Sequence, residues 1–430
     1  MRYKILSNDL DAGMFVAELD RPWLGTPFWF QGFLIEEDEQ LMQLRQYCNF
    51  VLVDSNSSLP SVQAKIAGYA EKKTDDLKNY EYDYDINYSD DVEDPIPSPS
   101  FIPEHIKLIR FRNSVPVEKE LATAKVHFAR STKILEDMII DLTNDKQLSI
   151  ENVEVVIHDV VQSMVRNPDA LMLITRMRQD DVSVFGHGLN VAIYLVALGR
   201  HLGLPREFLE QLCTTGLLLD VGKTKIPHGI LQKQGRLSSD EFEIIKNHVQ
   251  ISANILKNTP KIHPDILQAV EQHHERENGS GYPDGLSKED ISLFGRMAAI
   301  VDTFSAMTRQ RPYANSFTTY EALQTMLKVG SDLYHTPIVE QFIHAIGIFP
   351  VGSLVELSSG EVAIVISHNK SRRLKPQVLV VTENDKTPSK SHPILNLLKP
   401  PATYETPPHI VKGLPIGTYG INPRDYYLGQ

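Results

Sequence analysis

The 430-residue chain has only two cysteines, Cys48 and Cys213, well separated in sequence. A disulfide framework is therefore not expected, and a cytoplasmic location is. No apolar run approaches the ~18 residues that a membrane helix needs, so no membrane span is expected. Residues Met1 to Asp9 lack the apolar core of a signal peptide. Positive charge is also scarce: 43 Lys and Arg against 55 Asp and Glu leave a net charge of −12. General nucleic-acid binding wants a basic face and is not expected. An anionic small substrate stays open, provided metal ions or a few Lys and Arg supply positive charge locally. There is no internal repeat. A hydrophobic content of 42% and a charged content of 23% fit a globular protein. The length suits roughly two to four domains of ~150 residues.

Residues 1–60 read as a small β-rich domain. Strands are expected at Gly13–Leu19, Phe28–Ile35 and Asn49–Asp54, with a short helix over Glu37–Tyr47. The cluster Trp23, Phe28, Trp29, Phe30 and Phe33 fits a small core or domain contact better than a ligand pocket. Residues 61–115 read as a linker, in which acids alternate with Tyr80, Tyr82, Tyr84 and Tyr88 before Pro95, Pro97 and Pro99. A connecting helix is expected over 116–150. Leu121, Ala124, Phe128, Ser131, Leu135, Met138 and Leu142 form a heptad-like stripe in it, which suits either a dimer seam or an intramolecular bundle helix. Ser149 has the character of a helix start. Residues 151–345 are helix-patterned, and 350–400 return to strand pattern, with a hairpin turning at Ser358-Ser359-Gly360. Residues 401–430, rich in Pro, Gly and Tyr, read as an irregular tail. The expected fold class is mainly α, flanked by a small N-terminal α+β domain and a short C-terminal β segment.

Chemistry concentrates in His273-His274-Glu275-Arg276-Glu277-Asn278-Gly279-Ser280-Gly281-Tyr282-Pro283. Histidine is the commonest metal ligand, and adjacent pairs are rare by chance. The glycines and Pro283 mark a loop that can approach another group closely. His187, Asp220, His248 and Asp302 add further ligand types in the helix-patterned region. Taken singly, each is more commonly a surface or hydrogen-bonded residue. Together, a mixed His and carboxylate set suits divalent Mn, Fe, Ni or Zn, and a bridging carboxylate suits two metals. In Leu219-Asp220-Val221-Gly222-Lys223 an apolar helix ends in an acid, with Lys223 one turn away and able to meet a phosphate oxygen.

These residues resemble the HD-GYP phosphodiesterases, the branch of the HD superfamily that cleaves cyclic di-GMP and related cyclic dinucleotides. Leu219-Asp220-x-Gly222-Lys223, His273-His274-Glu275-Arg276, Gly281-Tyr282-Pro283, Asp302 and Arg311-Pro312-Tyr313 carry the resemblance, over about residues 180–345. The segments around Gly13-Met14 and Trp23–Phe28, and the strands after Phe349, resemble the flanking parts of the same proteins. The resemblance implies an HD-superfamily helical bundle with a di- or trinuclear metal centre. It implies His187, Asp220, His248, His273, His274 and Asp302 as metal ligands, with Asp220 bridging. Asp220 and Lys223 would be catalytic, and Lys223, Gly281, Tyr282, Pro283 and Arg311 would bind substrate. It implies two divalent ions and a cyclic dinucleotide, and in some members GGDEF-type cyclase domains dock on the Gly281–Pro283 turn.

The sequence departs from the family at Leu219, where a histidine is usual, and at Ser305, where a second aspartate is usual. Gly188 stands for a serine, and Ser183 stands where some members carry a glutamate. His228 is a candidate to fill the gap left by Leu219. Two readings follow: a metal-dependent phosphodiesterase, or a regulatory module that binds a cyclic dinucleotide or docks a cyclase.

Overall fold

The structure, a computed structural model, describes residues 2–20, 33–35, 38–55, 58–71, 99–177, 184–233, 235–309, 317–368, 375–401, 404 and 407–427. They fall into two compact units, Met1–Pro95 and Ile96–Gln430.

In the first unit, β1 (Arg2–Leu6), β2 (Phe15–Leu19), β3 (Phe33–Leu34) and β4 (Phe50–Asp54) form an antiparallel sheet in the order β1-β4-β2-β3. The period-two pattern of β4 buries Val51 and Val53 and leaves Phe50, Leu52 and Asp54 partly exposed. These valines pack with Ile5, Val16, Leu44 of α1 (Asp38–Tyr47) and Ile66 of α2 (Pro60–Glu71). Of the expected strand Phe28–Ile35, only Phe33 onward is described. Trp23, Phe28, Trp29 and Phe30 lie outside the described residues.

Helix α2 corrects the expected start of the linker at 61. Val62 and Ile66, one turn apart, turn inward onto the sheet core. The Tyr/Asp run at 80–94 lies outside the described residues.

The second unit opens with the hairpin of α3 (Val117–Thr143) and α4 (Ile150–Arg166), followed by α5 (Pro168–Met177). Ala124, Phe128, Ser131, Leu135, Met138 and Leu142 are buried, and α3 packs against α4 and α5. Most of the heptad-like stripe is thus buried within the chain, as the bundle-helix alternative expects. Glu120 locks the hairpin: it accepts from Arg166 at 2.7 and 2.8 Å and from Ser163 at 2.6 Å. Ser149 caps α4, its hydroxyl accepting the Asn152 amide at 3.3 Å.

The helical body continues with α6 (Val184–His201), α7 (Arg206–Leu218), α8 (His228–Leu231), α9 (Ser239–Lys246), α10 (His248–Lys257), α11 (Pro264–Gln272), α12 (Leu293–Thr308), α13 (Thr319–Lys328), α14 (Gly330–Leu333) and α15 (Thr336–Ile346). Helix α6 is central, packed by α7, α12 and α15. Tyr194, Phe304 and Phe342 meet edge to face there, with centroids 5.1 to 6.3 Å apart. No helix among the described residues is long and apolar enough to cross a membrane. Cys48 and Cys213 are buried and form no disulfide.

A five-stranded antiparallel sheet follows: β5 (Leu354–Leu357), β6 (Val362–Ser367), β7 (Gln377–Val380), β8 (Ile394–Asn396) and β9 (Ile410–Leu414), in the order β8-β7-β6-β5-β9. The β5–β6 hairpin turns at Gly360 as expected. The expected irregular tail at 401–430 is corrected, because β9 pairs with β5. Ile421, ahead of α16 (Arg424–Tyr427), packs on Leu354, Val362 and Ile364.

Candidate metal centre

The helical body brings six of the expected residues to one point. His187 comes from α6 and Asp302 from α12. Asp220 follows the end of α7, and His248 opens α10. His273 and His274 follow α11. They form two donor groups that share Asp220: Asp220, His248, His273 and His274, and His187, Asp220 and Asp302, with the ligand atoms of each group within 4.8 Å of one another.

The turn after α7 needs a glycine. A Cβ on Gly222 would lie 2.2 Å from the His248 carbonyl oxygen and 2.6 Å from the Ser252 nitrogen. The Gly222 amide instead donates to Ser252 Oγ at 2.8 Å. This close approach of the turn to α10 sets His248 Nε2 3.3 Å from Asp220 Oδ1.

The ring orientations define what the site can hold. His248 Nδ1 lies 2.6 Å from the Ile245 carbonyl, and His273 Nδ1 lies 2.6 Å from the Val270 carbonyl. A carbonyl only accepts, so each Nδ1 carries the proton and each Nε2 presents a lone pair. Both Nε2 atoms and Asp220 Oδ1 are buried with no hydrogen-bond partner. Buried acceptors facing one another repel unless a cation sits among them, since an unsatisfied buried polar atom costs about 1–3 kcal/mol. The donor set therefore fits a divalent metal ion.

The electrostatics agree. Burial pushes the His273 imidazole down to about 4, with the neighbouring His248 adding to the effect. Burial, then His273, likewise holds His274 well below the usual histidine range. Both are neutral, as ligation requires. Burial alone would raise the Asp220 carboxyl, but Lys223, His248 and His187 hold it well below the usual carboxylate range. The Asp302 carboxyl, also opposed by burial, is held down by its bond with His187.

In the second group, His187 Nε2 lies 2.7 Å from Asp302 Oδ1 and 3.9 Å from Asp220 Oδ2. Ser305 Oγ, one turn after Asp302, is 3.3 Å from His187 Nδ1. A hydroxyl can donate or accept, so Ser305 orients this ring in either tautomer. Lys223 Nζ donates to Asp220 Oδ2 at 2.6 Å and stays partly exposed at the site.

Beside these donors, the loop after His274 folds back on itself. The buried Glu275 carboxylate accepts the amides of Asp284, Gly285 and Leu286 at 2.8, 3.2 and 3.0 Å. A Cβ on Gly281 would lie 2.5 Å from Glu275 Cα and from the His274 carbonyl oxygen, so only glycine allows the return. The Tyr282 ring stacks on His274, centroids 4.6 Å apart, ahead of an exposed Pro283. Burial, then the charges of Asp302 and Asp220, raises the Tyr282 phenol and keeps it protonated.

Not every expectation lands at the site. Leu219 is fully buried and supplies no ligand atom. His228 is exposed at the start of α8 and joins neither donor group, which corrects its candidacy. Arg311 and Ser183 lie outside the described residues. Sequence reasoning missed Ser252 and the anchoring role of Glu275, and it missed Phe242 and Lys246 on α9. The Phe242 ring meets Tyr282 edge-on at 6.2 Å, and Lys246 Nζ lies 4.9 and 5.4 Å from the centroids of the two rings. An exposed aromatic four residues before a lysine on an amphipathic helix was the available signal.

Residues 160–336 match the HD domain family, and residues 2–153 match a domain of unknown function, DUF3391. A cyclic di-GMP phosphodiesterase of Pseudomonas aeruginosa is 28% identical over 382 residues, 88% of this chain and 85% of that protein. The cyclic di-GMP phosphodiesterase response regulator RpfG of Xanthomonas campestris is 37% identical over 168 residues, 39% of this chain and 44% of its own. A 3′3′-cGAMP-specific phosphodiesterase of Vibrio cholerae is 37% identical over 142 residues, 33% of each chain. The chain thus spans less than half the length of these last two relatives. Residues 160–336 are thus similar to the HD domain family, and most of the chain is similar to a cyclic di-GMP phosphodiesterase.

Proposed function

We propose that the chain is a metal-dependent phosphodiesterase that hydrolyses a cyclic dinucleotide, cyclic di-GMP or a relative such as 3′3′-cGAMP. The observation that carries this is the pair of donor groups sharing Asp220, with three buried ligand atoms left without a partner. His248, His273 and His274 would hold one divalent ion and His187 and Asp302 a second, with Asp220 common to both; Fe, Mn, Ni and Zn all suit these ligands. Such ions, when bound, supply Lewis acidity toward phosphoryl oxygens and lower the pKa of bound water.

The chain's own residues do the rest. The backbone carbonyls behind His248 and His273 fix the ring tautomers and aim both Nε2 atoms. Ser305 steadies His187, so the loss of the family's second aspartate is met by a hydrogen bond. Lys223, partly exposed beside Asp220, brings positive charge to a substrate phosphate on a chain that is net negative. Tyr282 offers an aromatic face next to the donors, suited to a purine base. Arg311 is assigned to grip the phosphate or guanine on the resemblance alone. The exposed Pro283-Asp284-Gly285 edge of the loop is the surface we assign to a GGDEF-type cyclase partner. We place the protein in the cytoplasm, where such substrates are made and where its buried thiols stay reduced.

The test is turnover of cyclic di-GMP and 3′3′-cGAMP by protein purified anaerobically with Mn or Fe. Product formation that a chelator abolishes and re-added metal restores is expected. Tight binding without product would leave the regulatory module as the function.

A further inference from the structure

A second polar cavity lies in the same unit, between the helical body and the C-terminal sheet, and shares no residue with the donor groups. Its volume is about 70 Å³, room for several waters or one tetrahedral oxyanion. Arg176 of α5 enters it with only 8% of the residue exposed. One guanidinium nitrogen donates to the Thr319 hydroxyl and the group also faces the buried Tyr194 phenol, while Nε makes no hydrogen bond. Among the described residues, no carboxylate lines the cavity and none pairs with Arg176. Opposite, at the head of β5, Ser353 is 7% exposed and its Oγ is also without a partner. The third wall is the N-terminus of α13, a helix of 10 residues. Its capping box binds the amides of Thr318 and Glu321. The Thr319 amide, at the first helical position, has no carbonyl to meet within the helix.

A buried guanidinium without a counter-charge is expensive, and each unsatisfied buried polar atom adds to the cost. A helix N-terminus, an arginine fork and a hydroxyl converging on one small volume are the combination that recognises a phosphate group. We propose that this cavity, formed by Arg176, Ser353 and the Thr318–Thr319 end of α13, is a binding site for a phosphate group distinct from the metal centre. The group is either free inorganic phosphate or the terminal phosphate of a mononucleotide whose nucleoside stays outside.

The test is calorimetric titration of the full chain with inorganic phosphate and, separately, with guanosine 5′-monophosphate. Each titration is run on the metal-loaded protein and again after chelation. One site per chain that persists after chelation is expected for at least one ligand. Which ligand binds identifies the source of the phosphate. Arg176→Met should weaken binding at least tenfold, and Ser353→Ala several-fold, in protein whose circular dichroism matches the wild type. If Arg176→Met fails to fold, Ser353→Ala and Thr319→Val carry the test. Binding of neither ligand, binding that disappears entirely on chelation, or wild-type affinity in the folded variants would overturn the proposal. A failure of the metal reading would show instead in metal content, which this cavity does not affect.

Discussion

Replacing Glu275 by glutamine tests whether the Gly281–Pro283 loop is held by one buried carboxylate. Glu275 is 1% exposed and accepts three loop amides: Asp284 and Gly285 through Oε1, and Leu286 through Oε2. A glutamine oxygen can keep the first two as neutral bonds, but its NH₂ would then face the Leu286 amide, donor against donor. Charge-assisted bonds contribute about 1.5–3 kcal/mol each and neutral ones about 1 kcal/mol. The substitution thus costs the loop about 3 kcal/mol, roughly a hundredfold in the population of its folded form. Hydrogen exchange at 279–287 should accelerate, and kcat/KM for a cyclic dinucleotide should fall ten- to a hundredfold, because Tyr282 rides on this loop. Metal content should stay at the wild-type value, since Glu275 belongs to neither donor group. Unchanged exchange and turnover would refute the reasoning, as would a loss of metal in step with activity.

Gly222→Ala should lower the melting temperature and the metal content together. Its Cβ meets backbone atoms of His248 and Ser252, which no rotamer change relieves, at a cost of about 1–3 kcal/mol. Glu120→Ala should destabilise the second unit by about 3 kcal/mol in denaturant unfolding, because it strands Arg166 and Ser163. Burial opposes the Glu120 charge, but the bonds from Arg166 and Ser163 prevail and hold its carboxyl below the usual glutamate range. The stability it contributes is therefore complete above the unfolded value, about 4.3, and is lost as pH falls through the lower folded value. Wild-type stability should drop across that acid window, and Glu120→Gln should flatten the drop. Leu219→His should raise the number of metal ions retained through gel filtration; an unchanged count would show that this position does not face the donors.

The site was legible because its chemistry-bearing residues are unusual where they stand. Adjacent histidines, and an acid-x-Gly-Lys run at the end of an apolar helix, have few structural uses. The shared role of Asp220 was implied by the family resemblance; composition and spacing alone do not show it, since it depends on five elements meeting at one point. The supporting residues were less visible for a related reason. Ser252, Ser305 and Glu275 resemble surface residues in sequence, and only tertiary contact turns them inward. His228 is near Asp220 in sequence but not in the donor groups, because the turn after α7 carries it to the exposed start of α8.

The fold misses follow the same logic. Helix α2 hides because Val62 and Ile66 are sparse anchors ahead of a charged run. Strand β9 hides because Ile410-Val411-Lys412-Gly413-Leu414 is short, Gly-containing and paired with a strand distant in sequence. The stripe on α3 was visible as a stripe, but its partner was not. A 3.5-residue period is the same whether the facing helix belongs to this chain or to a second copy.

The central claim is that Asp220 is the carboxylate shared by two metal ions, and counting metals against that single residue tests it most directly. Wild-type protein and Asp220→Ala, purified anaerobically with Mn supplied and matched in circular dichroism, would be analysed for metal per folded chain. About two ions per wild-type chain, and near none in Asp220→Ala, are expected. A wild-type chain that binds no metal, or an Asp220→Ala chain that keeps its full complement, would contradict the account.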